Sequence, residues 1–505
     1  MGRVGLRRHF NRQLALACLL IATSTMNYGF DNSGFNTSMA MDSFQKQFGD
    51  LNPKTGKHRL PPVWLSLFNS LPFIGFGFGV LVGSLISERF GRRWCMFSMS
   101  TWALFSAAVC ISSSTREQIM AGRVLNYVYI GMELSVIPVF QSEIIPAPIR
   151  GMAVGSYQFS LLFGGLIVNS VCRGTSTLST NAAWRIPMGL FFVIPSTVMA
   201  GIWFVPESPR WLLTNDRTEE AYAALKLLRA GTLSDSEIEV EFEVLKAGLR
   251  LNPEQGKFIE LFQGINRKRT AIVVGMNFFQ QATGQAFAST YGALFVKDLG
   301  TVNPFSFTLI LAACNLSMVA VGLFLNDRLG RRPLLFIGGA LQGGAILAMG
   351  ALGTQTTTYE TKTGIVALLV IFAASFVFAW AQICYVVTTE VPALRLRDMS
   401  QRTASIVNVA TSFLVNFSVP YLLYTPYAAL GSKVGFIFGG IIICALIFTL
   451  FCVPECKGKS LEQVDRMFQE GIPLRHFGRH TVNFETESLD EKSMQVLATE
   501  VERKV

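Results

Sequence analysis

The sequence predicts an all-α membrane protein with twelve transmembrane helices in two pseudo-symmetric halves of six. Three observations predict this fold class. Apolar residues make up 50% of the 505 residues and charged residues only 15%, whereas soluble domains carry roughly 25% charged residues. Twelve apolar runs are each long enough to cross ~30 Å of hydrocarbon as a helix. One set of charged motifs occurs in both halves of the chain.

The charged motifs identify a repeat. Glu88-Arg89-Phe90-Gly91-Arg92-Arg93 returns as Asp327-Arg328-Leu329-Gly330-Arg331-Arg332, 239 residues later (328 − 89). Three further positions return after 247 or 248 residues: Glu143 as Glu390, Arg150 as Arg397 and Glu207 as Glu455. Coincidence does not keep such a register. The chain therefore contains two copies of one membrane unit, as in secondary transporters built from repeats.

The apolar runs place the spans in order along the chain. The predicted spans are 14–35, 64–86, 94–112, 119–140, 152–172, 184–205, 270–296, 304–326, 333–353, 364–388, 401–423 and 434–453. With twelve spans, the loops rich in arginine all fall on one side, which the positive-inside rule makes cytoplasmic, together with both termini. This distribution, and not nucleic-acid binding, explains the net charge of +10. One predicted outer loop is an exception, because it contains the basic residues Lys46, Lys54, Lys57 and Arg59; it is a longer loop, where the rule is weaker.

The polar stretches divide the chain further. We predict a cytoplasmic N-terminus at 1–13, a first half at 14–205, a cytoplasmic linker at 206–269, a second half at 270–454 and a cytoplasmic tail at 455–505. Apolar residues at three- and four-residue spacing predict two amphipathic linker helices, Thr218–Arg229 and Asp235–Arg250. The tail is predicted to begin with a short helix that carries Leu461, Val464 and Phe468, and to be disordered over 481–505.

Several patterns have structural explanations only. The nine cysteines lack metal or disulfide spacing, so we expect free thiols, no metal and no cofactor. Gly75, Gly79 and Gly83 lie four residues apart in the second span and predict close helix packing. The sequence shows no nucleophile–base pair or phosphate-binding loop. It therefore does not predict an enzyme.

The duplicated charges predict a gate. In each loop a glycine turn separates two helix ends, and arginines on either side can reach a carboxylate on a neighbouring helix with two hydrogen bonds. Ion pairs that separate as the halves rock against each other would stabilise one alternating-access state. The alternative is that the arginines only determine the membrane topology. The predicted gating residues are Glu88, Arg89, Arg92, Glu143, Arg150, Glu207, Asp327, Arg328, Arg332, Glu390, Arg397 and Glu455.

Further motifs carry a family resemblance. In order, they are Gly29-Phe30-Asp31, Gly122-Arg123, Pro138-Val139-Phe140-Gln141-Ser142-Glu143, Trp184-Arg185-Ile186-Pro187, Pro206-Glu207-Ser208-Pro209-Arg210-Trp211-Leu212, Gln280-Gln281-x-x-Gly284 and Pro454-Glu455-Cys456-Lys457-Gly458-Lys459-Ser460. Together they resemble the sugar porter family of the major facilitator superfamily, in details its fungal members. The resemblance covers nearly all spans and implies the major facilitator fold.

Asp31 and Arg123 form an ionisable pair predicted to lie within the bilayer, where leaving a charge in hydrocarbon costs ~2.5–3.5 kcal/mol or more. An Arg123 near Asp31 favours the ionised acid, and one that swings away favours the protonated acid. In the family, symporters carry Asp here, so the resemblance implies proton coupling; a static ion pair is the alternative. Glu133 points away from Arg123 and is either an extra titratable group or a polar contact between helices.

The resemblance also implies a substrate layer. Amides both donate and accept hydrogen bonds, and aromatic rings stack on the apolar face of a pyranose. The implied binding residues are Gln158, Gln280, Gln281, Asn315, Trp380, Tyr385 and Asn416. The chain departs from the family where Gly165 and Ala286 replace amides, where Ala381-Gln382 replaces Gly-Pro, and where Phe413 replaces a Trp. The lost amides predict a larger cavity, which leaves a disaccharide, polyol or other metabolite open as substrate.

The resulting function is a proton-coupled transporter that imports a sugar or related polyhydroxy compound by alternating access. Its partners are the substrate, protons and the lipid bilayer, and we expect a monomer in the plasma membrane that binds no nucleic acid. Two alternatives are a sugar sensor without turnover and an exporter of a secondary metabolite. Sensors of this type usually have a long tail, whereas 51 residues follow Pro454 here (505 − 454), which favours transport.

Overall fold

The computed structural model describes residues 11–51, 56–146, 150–250, 257–356, 358–459 and 461–478. The first half of the described chain contains the helices α1 Arg12–Ser38, α2 Asp42–Phe48, α3 Pro62–Ser70, α4 Pro72–Phe90, α5 Arg92–Ser112, α6 Arg116–Ile144, α7 Arg150–Thr175, α8 Ala182–Gly189 and α9 Val193–Gly201. An antiparallel hairpin of β1 Asp50–Leu51 and β2 His58–Arg59 lies between α2 and α3. Short 3-10 turns at Leu190–Phe192 and Ile202–Phe204 flank α9.

The linker and the second half continue the numbering. Their helices are α10 Pro209–Thr214, α11 Thr218–Arg229, α12 Asp235–Arg250, α13 Gly264–Ala282, α14 Gln285–Ser289, α15 Gly292–Leu299, α16 Pro304–Leu329, α17 Arg331–Leu352, α18 Tyr359–Phe378, α19 Trp380–Glu390, α20 Arg397–Leu423, α21 Val434–Cys452 and α22 Leu461–Gln469. The 3-10 turns of this part are Phe258–Phe262, Leu394–Leu396, Gly431–Lys433 and Leu474–His476.

Each predicted span corresponds to helical structure, and the twelve-helix major facilitator fold is confirmed. By length and composition alone, nine helices of the described chain qualify as spans. The other three spans have local explanations. α1 carries Asn27 and Asp31 in its interior, part of α7 has side chains outside the described residues, and the seventh span is interrupted at Gly284, where φ is +85°. Both linker helices and the tail helix are confirmed at their predicted positions, whereas 481–505 lies outside the described residues.

The glycines of the second span pack against α6, as predicted. A Cβ added at Gly75 would lie 2.1 Å from the carbonyl oxygen of Val124, and one at Gly79 would lie 2.0 Å from that of Val128. Any side chain at these positions would force the two helices apart. The nine cysteines are unpaired, also as predicted.

The two ends of the helix bundle differ. We call the end that carries the linker helices the linker face, and the end that carries β1 and β2 the hairpin face. At the hairpin face the two halves are joined by Ser66 Oγ donating to the Phe417 carbonyl at 2.7 Å and by Arg173 Nε donating to Ser306 Oγ at 2.9 Å. Lys297 Nζ of the second half lies 2.6 Å from Asp42 Oδ1 of the first, and Arg59 Nη2 lies 2.7 Å from Asp298 Oδ2.

The linker is fastened to the linker face of the first half. Apolar residues of α10, α11 and α12, among them Trp211, Leu225 and Phe242, form a cluster of their own. Buried Arg229 pairs with Glu241 at 2.9 Å and donates to the Ile144 carbonyl at the end of α6. In the tail, Asp465 of α22 pairs with Arg269 of α13.

Candidate functional site

The two charged loops have the same geometry in both halves. Gly91 has φ of +97° and Gly330 has φ of +95°, a conformation that residues with a Cβ rarely adopt. A Cβ at Gly91 would lie 2.5 Å from Glu207 Oε2, and one at Gly330 would lie 2.8 Å from Glu455 Oε2. Glycine therefore lets each carboxylate approach the turn and accept the backbone N–H groups of the two residues that follow.

The third charged residue of each motif makes the ion pair with the neighbouring helix. Arg92 donates Nε and Nη2 to the Glu143 carboxylate at 3.0 and 2.8 Å. In the second half Arg331 donates the same two atoms to Glu390 at 3.2 and 2.7 Å. Arg331 was absent from the predicted gating set. Each pair joins two helices of the same half, so rocking of one half against the other does not by itself break it.

The remaining predicted gating residues are arranged differently. Arg89 and Arg328 are exposed, and the backbone carbonyl of Glu88 accepts a hydrogen bond from Trp211 Nε1. Arg332 donates to Glu455 through its backbone N–H. Arg397 is half-buried, and its Nε and Nη2 have no hydrogen-bond partner within the described chain. The side chains of Arg150 and Asp327 lie outside the described residues. Burial raises the pKa of the Glu207 carboxyl, against the opposing effect of its backbone N–H donors.

Asp31 and Arg123 meet in the interior of the first half, and each is only 1% exposed. Arg123 Nη1 lies 3.7 Å from Asp31 Oδ1, within ion-pair range, but neither atom has a hydrogen-bond partner within the described chain. Asp31 Oδ2 accepts hydrogen bonds from Asn126 and, at 3.3 Å, from the Tyr129 hydroxyl. The guanidinium carbon of Arg123 lies 4.0 Å from the centre of the Phe35 ring. The arginine is therefore held partly by an aromatic ring, and the ion pair is loose.

Amide side chains of α13 and α20 form a network in the second half. Asn408 Nδ2 donates to Gln280 Oε1 at 2.7 Å, and Gln281 Nε2 donates to Asn408 Oδ1 at 3.1 Å. Asn408 lies eleven residues into the 27-residue α20, about 16 Å from its linker-face end. The two adjacent glutamines thus share one partner near mid-membrane depth.

The other predicted binding residues divide into two groups. Tyr385 is 53% exposed and lies within interaction range of Gln280 and of Tyr28 and Tyr157 in the opposite half. Gln158 is half-buried in α7. Of these two residues, Tyr385 borders the space between the halves.

The second group is buried. Trp380 is fully buried, with its Nε1 against Gly339, so the expectation that it lines the cavity is wrong for this conformation. Asn315 is 7% exposed and its Oδ1 lacks a partner within the described chain. The Asn416 side chain donates to the Ser412 carbonyl, and the backbone carbonyl of Asn416 accepts from the Tyr291 hydroxyl. The same hydroxyl lies 3.4 Å from the backbone carbonyl oxygen of Leu65 in the other half. Asn416 therefore belongs to the closed hairpin face.

At two positions where the sequence departs from the family pattern, the structure shows the consequence of the replacement. A Cβ at Gly165 would lie 2.8 Å from Ser33 Oγ of α1. The space at Gly165 is therefore filled by the close approach of α1, and the expectation that it enlarges the cavity is wrong. The helix of this span is interrupted at Ala379, between α18 and α19, so Ala381-Gln382 lies in the first turn of α19. The Gln382 amide donates to the carbonyls of Val319 and Val377, at 3.2 Å each.

Sequence reasoning missed Asn408, Asn126 and Tyr129. Asn126 follows Arg123 by three positions, the spacing of neighbours on one helix face, and this signal could have assigned it to the Asp31 site. Asn408 offered only its polarity and its mid-span position, because no motif of the sequence includes it.

Comparisons with known proteins agree with this architecture. The family model for "Sugar (and other) transporter" matches residues 17–468. The MFS transporter fmqE of Aspergillus fumigatus is 28% identical over 461 residues, which cover 89% of this chain and 85% of that protein. The hexose transporter HXT9 of Saccharomyces cerevisiae is 26% identical over 499 residues, covering 94% of this chain and 87% of that protein.

A further relative and a solved structure complete the comparison. The high glucose sensor RGT2 of Saccharomyces cerevisiae is 30% identical over 423 residues. The match covers 80% of this chain but only 55% of the sensor. The inward open conformation of the xylose transporter XylE from E. coli has a TM-score of 0.74 at 20% identity, and the match covers 90% of this chain and 99% of that one. At this identity the likeness shows the shared fold.

Proposed function

Since this chain belongs to the sugar transporter family, we propose that it is a proton-coupled secondary active transporter that imports a sugar or a related polyhydroxy compound by alternating access. The observation that carries this proposal is the Asp31–Arg123 pair. A carboxylate buried to 1% exposure, 3.7 Å from its counter-ion and not hydrogen-bonded to it, is able to change its protonation state when the arginine moves. A tight bidentate pair would instead hold the acid ionised.

The amide network supports a polyhydroxy substrate. Gln280, Gln281 and Asn408 present donors and acceptors at one depth, and the exposed Tyr385 offers a ring and a hydroxyl beside them. A neutral sugar needs this combination, because each hydroxyl both donates and accepts and each pyranose has an apolar face. The hexose and xylose transporters among the relatives favour the same class of substrate. We therefore propose that the substrate is a sugar or related polyhydroxy compound and that it binds at this amide network.

The two faces support an alternating-access state. The halves are joined at the hairpin face by Ser66, Arg173 and Lys297, whereas the Arg92 and Arg331 ion pairs of the linker face remain within one half. We assign the linker face to the cytoplasm because it carries the arginine-rich loops. The conformation is then inward-facing, in a plasma-membrane protein that has both termini in the cytoplasm and acts as a monomer.

The test is transport by the purified protein in liposomes, with labelled hexoses, pentoses, disaccharides and polyols at acidic and neutral outside pH. Asp31→Asn should abolish accumulation driven by a proton gradient but retain exchange of substrate down its own gradient, because the binding groups remain. Asp216→Asn, an exposed aspartate of the linker, is the matched control. Unchanged pH-driven accumulation in Asp31→Asn would refute the proposed coupling.

A sugar sensor without turnover is the second candidate, and the likeness to RGT2 favours it. The same liposomes separate the two functions. A sensor binds a labelled sugar but does not exchange it across the membrane, whereas a transporter does both. An exporter would show transport and, in cells, net efflux of its substrate.

A further inference from the structure

Glu133 is a buried acid that the transport site does not use. It lies in α6, ten residues after Arg123, and is 1% exposed. Its Oε1 has no hydrogen-bond partner within the described chain, and no described arginine or lysine forms an ion pair with it. The neighbours with which it interacts are other acidic or phenolic groups: Asp31 and Tyr28 of α1, Tyr129 of its own helix and Tyr157 of α7.

Glu133 faces a small internal cavity between α1, α5, α6 and α9. Ser24 and Asn27 of α1 and Ser100 of α5 line the cavity on its polar side, and the wall from α9 is apolar. The cavity has room for about one water molecule. Asn27 Oδ1 also lacks a hydrogen-bond partner within the described chain. A water that donates to both Glu133 Oε1 and Asn27 Oδ1 would satisfy both buried oxygens.

Tyr129 links this cavity to Asp31. The tyrosine lines the cavity, and its hydroxyl lies 3.3 Å from Asp31 Oδ2 and 3.5 Å from the Asn27 carbonyl. Glu133 follows Tyr129 by four residues in a helix that runs from the hairpin face to the linker face. It therefore lies about 6 Å nearer the linker face than the tyrosine. The order from the middle of the half toward the linker face is Asp31, Tyr129, the cavity and Glu133.

We infer that Glu133 is a second proton-binding site, placed to pass the proton of Asp31 toward the linker face through Tyr129 and one water molecule. The inference rests on the proposed proton-coupled transport. A carboxylate without a cation nearby is costly to ionise in the interior, so Glu133 holds a proton. When protonated Asp31 gives up its proton to the Tyr129 hydroxyl oxygen, the tyrosine passes its own proton to the water and the water passes one to Glu133. Glu133 then releases the proton it held to water at the linker face. Asp31 ends ionised beside Arg123, Glu133 ends neutral again, and one proton has moved from Asp31 to that water.

The first measurement needs no substrate. In infrared spectra of the purified protein, the carbonyl stretch of a protonated carboxylic acid should be present at neutral pH, lost in Glu133→Gln and retained in Asp31→Asn. Glu117→Gln, an exposed glutamate of the same helix, is the matched control and should keep the band. A band that survives Glu133→Gln overturns the inference, because Glu133 then holds no proton. The inference is also overturned if the band responds to replacement of sodium by an organic cation and not to pH, since the site then binds a metal cation.

The second measurement separates proton relay from packing. With labelled D-glucose as probe, Glu133→Gln and Tyr129→Phe should each slow proton uptake coupled to the sugar by at least about tenfold. Sugar counterflow, which needs no net proton movement, should stay within about twofold of wild type in Glu133→Gln. Equal proton-coupled rates in both variants and wild type overturn the inference. If Glu133→Gln does not fold, Tyr129→Phe carries this test. If wild type fails to carry D-glucose, the proposed substrate class fails, and the infrared result still decides the inference.

Discussion

At the scale of single residues, the amide side chains of the candidate binding site are connected through one shared hydrogen-bond partner, Asn408. Asn408 accepts from Gln281 and donates to Gln280, and it also approaches Asn277 Oδ1 at 3.4 Å. Removal of this one side chain takes away the hydrogen bond that Gln280 Oε1 accepts and the one that Gln281 Nε2 donates. A buried polar group without a partner costs ~1–3 kcal/mol, so Asn408 should have more effect on binding than either glutamine alone.

We therefore predict that Asn408→Ala weakens sugar binding by roughly tenfold to hundredfold, the equivalent of ~1–3 kcal/mol. The measurement is isothermal titration, or competition against the best substrate of the liposome panel. Ser405→Ala on the same helix is the control, because Ser405 is exposed and, among the described residues, its hydroxyl bonds only to the Gln401 carbonyl of its own helix. Wild-type affinity in Asn408→Ala would place the binding layer elsewhere.

At the scale of elements, the duplicated loops are rigid connections inside each half. A glycine with positive φ, a carboxylate that accepts two backbone N–H groups and a bidentate arginine recur at Gly91 and Gly330. These interactions fasten the end of one helix to its neighbours. They should therefore affect the stability of each half before they affect the direction of transport.

Gly91→Ala should destabilise the purified protein by ~1–3 kcal/mol, because the residue would be held in a backbone region that is essentially restricted to glycine. The added Cβ would also meet Glu207 Oε2. Thermal unfolding in detergent is the measurement. Gly231→Ala is the matched control, since Gly231 also has positive φ but an added Cβ would lie within 4 Å of no atom of the described chain. An equal loss in both variants would mean that backbone strain alone, and not the Glu207 contact, matters.

Arg92→Ala should lower stability by ~1.5–3 kcal/mol, because the Glu143 side chain, 10% exposed, would lose both charge-assisted hydrogen bonds. Arg89→Ala in the same loop should change stability by less than ~0.5 kcal/mol, since Arg89 is exposed. Thermal unfolding of the two variants side by side tests this contrast. If Arg89→Ala proves the more harmful, the ion pair is not the main function of the motif.

At the scale of the whole molecule, closure of the hairpin face decides which side of the cavity is open. Lys297 of the second half reaches the Ala40 carbonyl at 2.7 Å, Asp42 Oδ1 at 2.6 Å and Gln45 Oε1 at 3.3 Å, all in the first half. Asp42 is exposed, which weakens its share through solvent screening. The hydrogen bond to the Ala40 carbonyl is better protected.

Lys297→Ala should therefore lower the equilibrium constant for closure of the hairpin face by roughly twofold to tenfold, the equivalent of ~0.5–1.5 kcal/mol. The readout is labelling of Tyr385→Cys by a membrane-impermeant thiol reagent added at the linker face, and this labelling should fall. Lys46→Ala is the control, because Lys46 is exposed on the same face and forms no ion pair within the described chain. Labelling that does not respond to Lys297→Ala would show that other contacts close this face.

The sequence by itself determined the features that depend on local pattern: the twelve spans, the duplication, the two linker helices and the close packing at Gly75 and Gly79. Apolar run length, charge placement and helical periodicity are sufficient for these, because each is a property of one segment and its solvent. Tertiary structure decided which arginine of each loop reaches which glutamate, and it decided that α1 fills the space at Gly165. It also brought Asn408 to both glutamines and Tyr129 to Asp31. These contacts depend on how neighbouring helices cross and how far a side chain reaches between them, and no single segment of the sequence specifies that geometry.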